Sequence, residues 1–337
     1  MYHYTGRDCL KTGDSYVSSV ELKQPENKSA LDLTIMTKKI KIGTRGSELA
    51  LWQANYIASL IGEDNTELVI IKTEGDMIQN VSFNKMEGKG FFTKEIEEAL
   101  LSGKIDIAVH SLKDLPTEDV KGLKLAAIPE RGDFHDMIIM HPDAYEKRDG
   151  INIKGGSLIG TSSVRRLAQL KVYDKTLRVE ALRGNVNTRL RKLKENEYDA
   201  IVMAKAAVDR IKLDISEFVT HVLDENVFLP APAQGALGLQ VRADDKYTYS
   251  VAKKLNHAKT EILVSAERSF LKNFGGGCHI PLGAHAYYRD SQIVLEGIIA
   301  SADGTFAARA NATGKDPESI GAELSEKIKS QGAEKYI

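Results

Sequence analysis

Apolar and polar positions along the chain repeat as one unit: a short apolar run, a turn of Gly, Ser or Thr, and apolar residues at helical spacing. The unit begins at Lys39 with KIKIGTRGSELALWQANYIASL and recurs in IDIAVHSLKDLP, SLIGTSSVRRLAQLKVY and YDAIVMAKAAVDRI. Strands that alternate with helices predict βαβ units and a mostly parallel sheet. We therefore expect an α/β fold, and the echo of IGTRGS in IGTSSV indicates two similar lobes.

The pattern changes at both ends of the chain. After Lys253 a helix is predicted over Glu261–Phe270, followed by three glycines and alternating runs such as SQIVLEGIIAS. This pattern predicts a small C-terminal α+β domain. Residues 1–37 are polar and show little periodicity, so we expect a disordered N-terminal extension with ordered structure starting near Lys38.

Composition narrows the function classes. The 337 residues include 46 Lys and Arg against 47 Asp and Glu, and a net charge of −1 argues against a general nucleic-acid or membrane-surface binder. Apolar runs fall well short of the ~20 residues of a membrane span. The two cysteines, Cys9 and Cys278, cannot build a disulfide framework, which predicts a reducing, cytoplasmic compartment.

Arginines recur at the predicted strand-end turns and first helical turns, where parallel sheets bind ligands. In TSSVRR we expect Val164, Leu167 and Ala168 to form the buried stripe, which leaves Arg165 and Arg166 for the cleft. The helix dipole disfavours cations at these positions, so an anionic polycarboxylate ligand is predicted, with surface salt bridges as the alternative. The full set is Arg45, Arg165, Arg166, Arg183, Arg189 and Arg210.

Two further segments carry candidate chemistry. Asp114 follows a buried strand directly into the expected cleft, where it could stabilise a developing cation or shuttle a proton. The alternative is a salt bridge with Lys113 or an arginine. The segment MEGKGFFTKEIEEALL lacks the GxxxxGK[ST] and GxGxxG patterns of nucleotide sites. Its residues Gly88, Lys89, Gly90 and Phe91 predict a mobile lid, with a plain connecting loop as the alternative.

Cys278 stands on a nearly bare backbone in NFGGGCHIPLG. His279 and His285 lie nearby in sequence, but further ligands with suitable spacing are missing, so no metal is predicted. A Cys–His nucleophile pair would need a third, orienting group. A third interpretation is a thiolate that anchors a group covalently, with the glycines leaving room for that group.

The chain resembles the porphobilinogen deaminase family, also called hydroxymethylbilane synthases, over about residues 38–335. The resemblance rests on ordered motifs: GTRGSELALWQA, GKGFFTKEIE, DIAVHSLKDLP, IGTSSVRR, LRGNVNTRL, YDAIVMA, LPAPAQGALGLQVR and GGGCHIPLG. It implies three domains, two of them like the lobes of periplasmic binding proteins. The implied bounds are 38–130 with 234–251 for domain 1, 135–227 for domain 2 and 256–337 for domain 3.

The resemblance also implies a transferase reaction of tetrapyrrole and haem biosynthesis. A dipyrromethane cofactor, held by a thioether at Cys278, primes the deaminative head-to-tail joining of four porphobilinogen molecules, and water releases hydroxymethylbilane. Asp114 is the implied catalytic residue. The implied cofactor contacts are Ser47, Lys85, Ser111, Lys113, Asp114, Thr161, Ser162, Ser163, Arg165, Arg166, Arg183 and Gly184. The implied substrate contacts are Arg45, Ser47, Gln53, Arg183, Arg189 and Arg210.

The expected partner is therefore the small molecule porphobilinogen, with no nucleic acid and no membrane. We expect a monomer that passes its product to the next enzyme of the pathway. The main alternative is a non-catalytic two-lobed polycarboxylate-binding protein, which predicts the bare chain mass of 37.1 kDa. The deaminase hypothesis instead predicts a covalent adduct of two pyrrole units.

Overall fold

The computed structural model describes residues 39–73, 93–277 and 280–337. The predictions for the N-terminal extension, for Lys85, for the lid residues Gly88 to Phe91, and for Cys278 lie outside these residues. In chain order the strands are β1 (Ile40–Thr44), β2 (Thr66–Ile70), β3 (Ile107–Ser111), β4 (Leu123–Ala127), β5 (Asp136–Met140), β6 (Leu158–Gly160), β7 (Arg178–Glu180), β8 (Ala200–Ala204), β9 (Val219–Val222), β10 (Leu237–Arg242), β11 (Leu282–Arg289), β12 (Gln292–Ala300) and β13 (Ala307–Gly314). The α-helices are α1 (Glu48–Ile61), α2 (Lys94–Leu101), α3 (Val164–Tyr173), α4 (Val186–Lys194), α5 (Lys205–Ile211), α6 (Lys246–Lys253), α7 (Ala258–Lys272) and α8 (Pro317–Ser330).

The first lobe is a five-stranded sheet in the order β2-β1-β3-β10-β4. Strand β1 runs parallel to β2 and β3, and β10 is antiparallel to both of its neighbours. Each face of the sheet is covered: Ile42 packs in one cluster with Ile57 of α1, and Ala108 packs in another with Leu100 of α2. The near-continuous apolar runs of these strands follow from burial on both faces.

The second lobe repeats this arrangement with the order β7-β6-β8-β5-β9. Strand β6 is parallel to β7 and β8, while β5 is antiparallel to β8 and β9. The predicted α/β class with two similar lobes and a small C-terminal unit is confirmed. Four of the five strands in each sheet run in the same direction, as the expectation of a mostly parallel sheet requires, and β10 and β5 are the reversed strands.

The antiparallel strands are the ones that enter from the other lobe. The chain leaves the first lobe after β4 and begins β5, and it leaves the second lobe after β9 and begins β10. Asp136 at the start of β5 pairs with Ala204 at the end of β8, and Leu237 at the start of β10 pairs with Ser111 at the end of β3. Each crossing segment thus arrives at the edge where the parallel strands end, so its strand runs the opposite way. We call this the cleft edge of each sheet.

The C-terminal unit is a three-stranded antiparallel sheet, β11-β12-β13, covered by α7 and α8. Phe270 of α7, Leu295 of β12 and Leu324 of α8 are fully buried in its core. Helix α7 extends beyond the predicted Glu261–Phe270 at both ends. Its C-terminal end leads into the glycine triplet that precedes Cys278.

Candidate active site

The first lobe brings Gln53 and Ser111 together at its cleft edge. Ser47 caps α1 by accepting a hydrogen bond from the backbone of Ala50 at 3.4 Å, and Arg45 lies in the same turn after β1. Gln53 is buried in α1 and its Nε2 donates to the Ser111 Oγ at 2.9 Å. The predicted residues of the β1 turn and of the β3 end therefore lie on neighbouring strands, as the parallel pairing of β1 with β3 requires.

Lys113 and Asp114 lie in a 3₁₀ turn over Leu112–Asp114 that directly follows β3. Leu112 is buried, Asp114 is exposed, and the Lys113 Nζ donates to the Gln234 Oε1 at 3.2 Å. Protein surrounds the Lys113 ammonium although part of its side chain stays exposed, and this burial lowers its pKa to about 8. Asp114 opposes the shift in pKa, whereas the charge of Arg166 adds to it.

Arg165 and Arg166 are buried against Asp136. The Arg165 Nη1 donates to one Asp136 carboxylate oxygen at 2.7 Å, and the Arg166 Nε and Nη2 donate to the other at 3.0 and 2.7 Å. The expected buried stripe of α3 is only partly correct: Ala168 is buried, but Val164 and Leu167 are half-buried, and Arg165 and Arg166 are buried instead of exposed. The first turn of α3 packs against the start of β5, where Asp136 offers a carboxylate instead of an apolar surface.

Asp136 and Gln234 were not predicted, and both are fully buried. Burial alone would raise the pKa of the Asp136 carboxyl, but the Arg165 and Arg166 guanidiniums hold that pKa well below its usual range. The Gln234 Nε2 donates to the Asp136 Oδ1 at 3.1 Å, and its Oε1 accepts from Lys113. Gln234 therefore links the Lys113 turn to the two arginines. The sequence contained a signal for each residue: Asp136 is an acid at the start of the apolar run DMIIM, and Gln234 is the glutamine within PAPAQG.

The turn between β6 and α3 is held by its own hydroxyl groups. The Thr161 Oγ1 accepts from the Ser163 backbone at 3.2 Å, the Ser162 Oγ donates to the Leu182 carbonyl at 2.8 Å, and Ser163 caps α3. These three predicted residues define where the first turn of α3 begins. They thereby set the position of Arg165 and Arg166.

The turn before α4 depends on Gly184. Its backbone has φ +108°, and its carbonyl accepts from the Arg189 Nε at 2.9 Å, while Asn185 caps α4. Burial, with a smaller effect from the charge of Arg166, lowers the pKa of Arg189 to about 10, and the charge of Asp114 opposes this shift. Arg189, Arg166 and Asp114 therefore lie within electrostatic range of one another. Arg183 is half-buried in the segment between β7 and Gly184.

Arg210 has a different position from the rest of the set. It lies in the last turn of α5, so its predicted place in a strand-end turn is wrong. Its Nη2 donates to the Gly235 carbonyl at 2.6 Å, and its guanidinium carbon lies 5.5 Å from the centre of the Trp52 ring. Burial lowers the pKa of Arg210. This arginine joins the second lobe to α1 and to the crossing segment.

The cleft edges thus bring several cations near the exposed acid Asp114. Lys113, Arg165, Arg166 and Arg189 influence one another, against the carboxylates of Asp114 and Asp136. Burial disfavours the charged forms of Lys113 and Arg189, and a ligand carboxylate would offset that cost. These residues fit a ligand with several carboxylates. Within the ranges that the structure describes, no group of three His, Cys, Asp or Glu residues could hold a metal, and no helix is long and apolar enough to cross a membrane.

Two α/β lobes that meet at a cationic edge, with a carboxylate in reach, define the class as a two-lobed protein whose site fits an anionic small molecule. Family models identify the family: residues 40–250 match porphobilinogen deaminase, dipyrromethane cofactor binding domain, and residues 262–330 match porphobilinogen deaminase, C-terminal domain. The chain belongs to the porphobilinogen deaminase family. Its members are transferases, hydroxymethylbilane synthases, and the predicted family, enzyme class and dipyrromethane-binding domain are confirmed.

Individual relatives agree with the family match. The porphobilinogen deaminase of Syntrophomonas wolfei is 40% identical over 88% of this chain and 96% of its own length. That of Brevibacillus brevis is 42% identical over 88% of this chain and 95% of its own. The porphobilinogen deaminase of Trichlorobacter lovleyi is 43% identical over 89% of this chain and 96% of its own length. The family match supports an enzyme over the non-catalytic alternative.

Solved structures with a similar arrangement include periplasmic binding proteins. An ancestral arginine-binding protein bound to arginine has a TM-score of 0.37 and 15% identity, over 65% of this chain and 91% of that chain. A periplasmic binding protein from Brucella ovis with glutathione bound has a TM-score of 0.37 and 13% identity, over 74% of this chain and 73% of that chain. At these values the likeness says nothing about the ligand of this chain.

Proposed function

We propose that the chain joins four porphobilinogen molecules head to tail on a dipyrromethane primer and releases hydroxymethylbilane. The observation that carries this proposal is the cluster of Lys113, Arg189 and the Asp136-bound arginine pair, in which Lys113 and Arg189 are both within electrostatic range of Asp114. The cations of this cluster would bind the carboxylates of cofactor and substrate, and the Asp114 carboxylate would face the reacting ring.

Cys278 would hold the cofactor by a thioether, and the glycines before it leave space for the attached group. Bound in this way, the dipyrromethane supplies the pyrrole from which the product chain grows. Its carboxylates would meet cations and hydroxyl groups at both cleft edges. The proposed contacts are Ser47, Lys85, Ser111, Lys113, Thr161, Ser162, Ser163, Arg165, Arg166, Arg183 and Gly184.

Asp114 would act on the substrate ring. When ammonia leaves porphobilinogen, positive charge develops on the pyrrole nitrogen, and it does so again when the new carbon–carbon bond forms. A carboxylate held in place by the turn after β3 stabilises both charged states without reorganising at each step. Arg45, Ser47, Gln53, Arg183, Arg189 and Arg210 would bind the substrate carboxylates, and the segment from Gly88 to Phe91 would close over them.

The wider context of the protein is also proposed. Domain 1 would comprise 38–130 with 234–251, domain 2 would comprise 135–227, and domain 3 would comprise 256–337. The pairing of β10 within the first sheet supports a discontinuous domain 1. The enzyme would be a cytoplasmic monomer whose product passes to the next enzyme of the pathway.

Intact mass and turnover test this function together. We expect the purified protein to exceed its chain mass by two pyrrole units and the Cys278→Ser protein to match the bare chain. Asp114→Asn should keep the adduct but lose at least about a hundredfold in ammonia release per loaded molecule, as removal of one preorganised charge does elsewhere. Asp143→Asn, at an exposed acid in the second lobe, should turn over normally. A loaded Asp114→Asn enzyme within a few-fold of the parent would remove Asp114 from the mechanism.

A further inference from the structure

The turn that carries Lys113 and Asp114 is held by an arginine of the C-terminal unit. Arg268 on α7 donates from its Nη1 to the carbonyls of Leu112 and Leu115 at 3.2 and 2.9 Å. Its Nη2 donates to the carbonyl of Pro116 at 2.7 Å. One guanidinium thus contacts the backbone on both sides of Asp114.

The same face of α7 also holds the side chains of this turn. Val264 lies one helical turn before Arg268 and is fully buried in a cluster with Leu112 and Leu115. Residues four apart lie on one face of a helix. The turn is therefore fixed from α7 in two ways: its apolar side chains contact Val264, and its carbonyls accept from Arg268.

The turn has little internal support. Its hydrogen bond from the Leu115 amide to the Leu112 carbonyl is long, at 3.3 Å, and a 3₁₀ turn of three residues has few others to offer. Carbonyls at the end of such a turn carry partial negative charge, which favours a cation beside them. Further along the chain, Gly276 lies directly against Thr117, so the C-terminal unit also contacts the segment after Pro116.

We propose that Arg268 is a positioning residue: by holding the Leu112, Leu115 and Pro116 carbonyls it sets where the Asp114 carboxylate stands relative to the reacting ring. The proposal rests on the proposed role of Asp114. Catalysis depends steeply on such placement, since a displacement of about 1 Å can cost about a hundredfold in rate. Arg268 therefore acts through Asp114.

Arg268→Met tests this role, with Arg309→Met as the matched control. Arg309 also extends from the C-terminal unit to backbone carbonyls, those of Glu225 and Asn226, but on the second lobe and away from Asp114. Per molecule loaded with cofactor, we expect Arg268→Met to lose about a hundredfold in kcat, as misplacement does, with little change in KM. Arg309→Met should keep the parent kcat. Equal losses in the two variants, or a parent-like kcat in Arg268→Met, would overturn the proposal.

A double variant separates positioning from general damage. If Arg268 acts through Asp114, then Arg268→Met should cost almost nothing further in an Asp114→Asn background. Fully additive losses would refute the proposal.

If Arg268→Met does not fold, Arg268→Lys takes its place, with a smaller loss in kcat because a lysine reaches fewer of the three carbonyls. An active Asp114→Asn enzyme would contradict both the proposed role of Asp114 and the positioning role of Arg268. An inactive Asp114→Asn enzyme together with an active Arg268→Met enzyme would contradict only the positioning role of Arg268.

Discussion

Lys113 occupies a setting in which burial and neighbouring cations both favour the neutral amine. Its pKa of about 8 lies well below the ~10.4 of a free lysine. Asp114 and the Gln234 carbonyl group support the charged form, but they do not offset burial. A carboxylate delivered by a ligand would add a negative charge beside the amine, so protonation of Lys113 and cofactor binding are linked.

This linkage predicts how stability depends on pH. In the Cys278→Ser protein, which carries no cofactor under the proposed function, Lys113 binds fewer protons in the folded than in the unfolded state between pH ~8 and ~10.4. The free energy of unfolding should therefore include a Lys113 contribution that rises with pH across this window. Urea unfolding should show that Lys113→Met removes this contribution, whereas Lys104→Met, at an exposed lysine, keeps it.

The cofactor-loaded protein provides the second half of this test. Ligand carboxylates beside Lys113 would raise its pKa toward the ordinary value, so the same contribution should shrink or vanish. If the free energy of unfolding rises equally with pH in the loaded and the cofactor-free protein, no ligand carboxylate reaches Lys113.

Among the elements, the turn into α4 depends most on a single residue. Gly184 has φ +108°, and a Cβ there would lie 2.5 Å from the Thr188 Cγ2 and 2.6 Å from the Thr188 Cβ. Thr188 is itself fixed, because its backbone and its hydroxyl both donate to the Asn185 cap. A side chain at position 184 would therefore push the first turn of α4 away from the cleft edge, and Arg189 with it.

Gly184→Ala should consequently cost more stability than backbone strain alone. We expect a loss of about 3 kcal/mol in the free energy of unfolding, the upper end of the range for strained positions. Gly103→Ala is the control, since Gly103 also has a positive φ of +71° but no atom within 4 Å of the added Cβ. It should lose only about 1 kcal/mol. Equal losses in urea unfolding would show that α4 accommodates the methyl group.

At the scale of the whole molecule, Glu267 connects the C-terminal unit to both segments that cross between the lobes. Its carboxylate is fully buried and accepts from the Arg131 Nη1 and Nη2 at 2.7 and 3.0 Å. It also accepts from the backbone amides of Ala233 and Ala286 at 2.7 and 2.9 Å. Four donors on one carboxylate therefore join α7, β11 and the two crossing segments.

Glu267→Gln should destabilise the molecule strongly. The amide would leave the Arg131 guanidinium, whose side chain is only 11% exposed, without a compensating charge, at a cost of about 3–5 kcal/mol. Glu296→Gln is the matched control, because its partner Arg309 is 31% exposed and such pairs contribute only about 0–1 kcal/mol. Urea unfolding of both variants measures the difference, and comparable losses would contradict the role of burial.

Much of the fold and part of the site followed from local pattern. Apolar periodicity placed the strands and helices in order, because each element buries a stripe whose period is a property of its own backbone. The polar turns after β1, β3 and β6 lie where the pattern predicted them, at the edge where parallel strands end.

The tertiary structure decided what these residues contact. Asp136 lies 29 and 30 residues before Arg165 and Arg166, and Arg268 lies more than 150 residues from the carbonyls that it holds. Helical spacing could not predict that α3 turns two arginines inward, because their partner is a carboxylate on a strand entering from the other lobe. The same crossing reverses β5 and β10. Sequence pattern determines which face of an element is apolar, but only the packing of distant segments determines which charges meet.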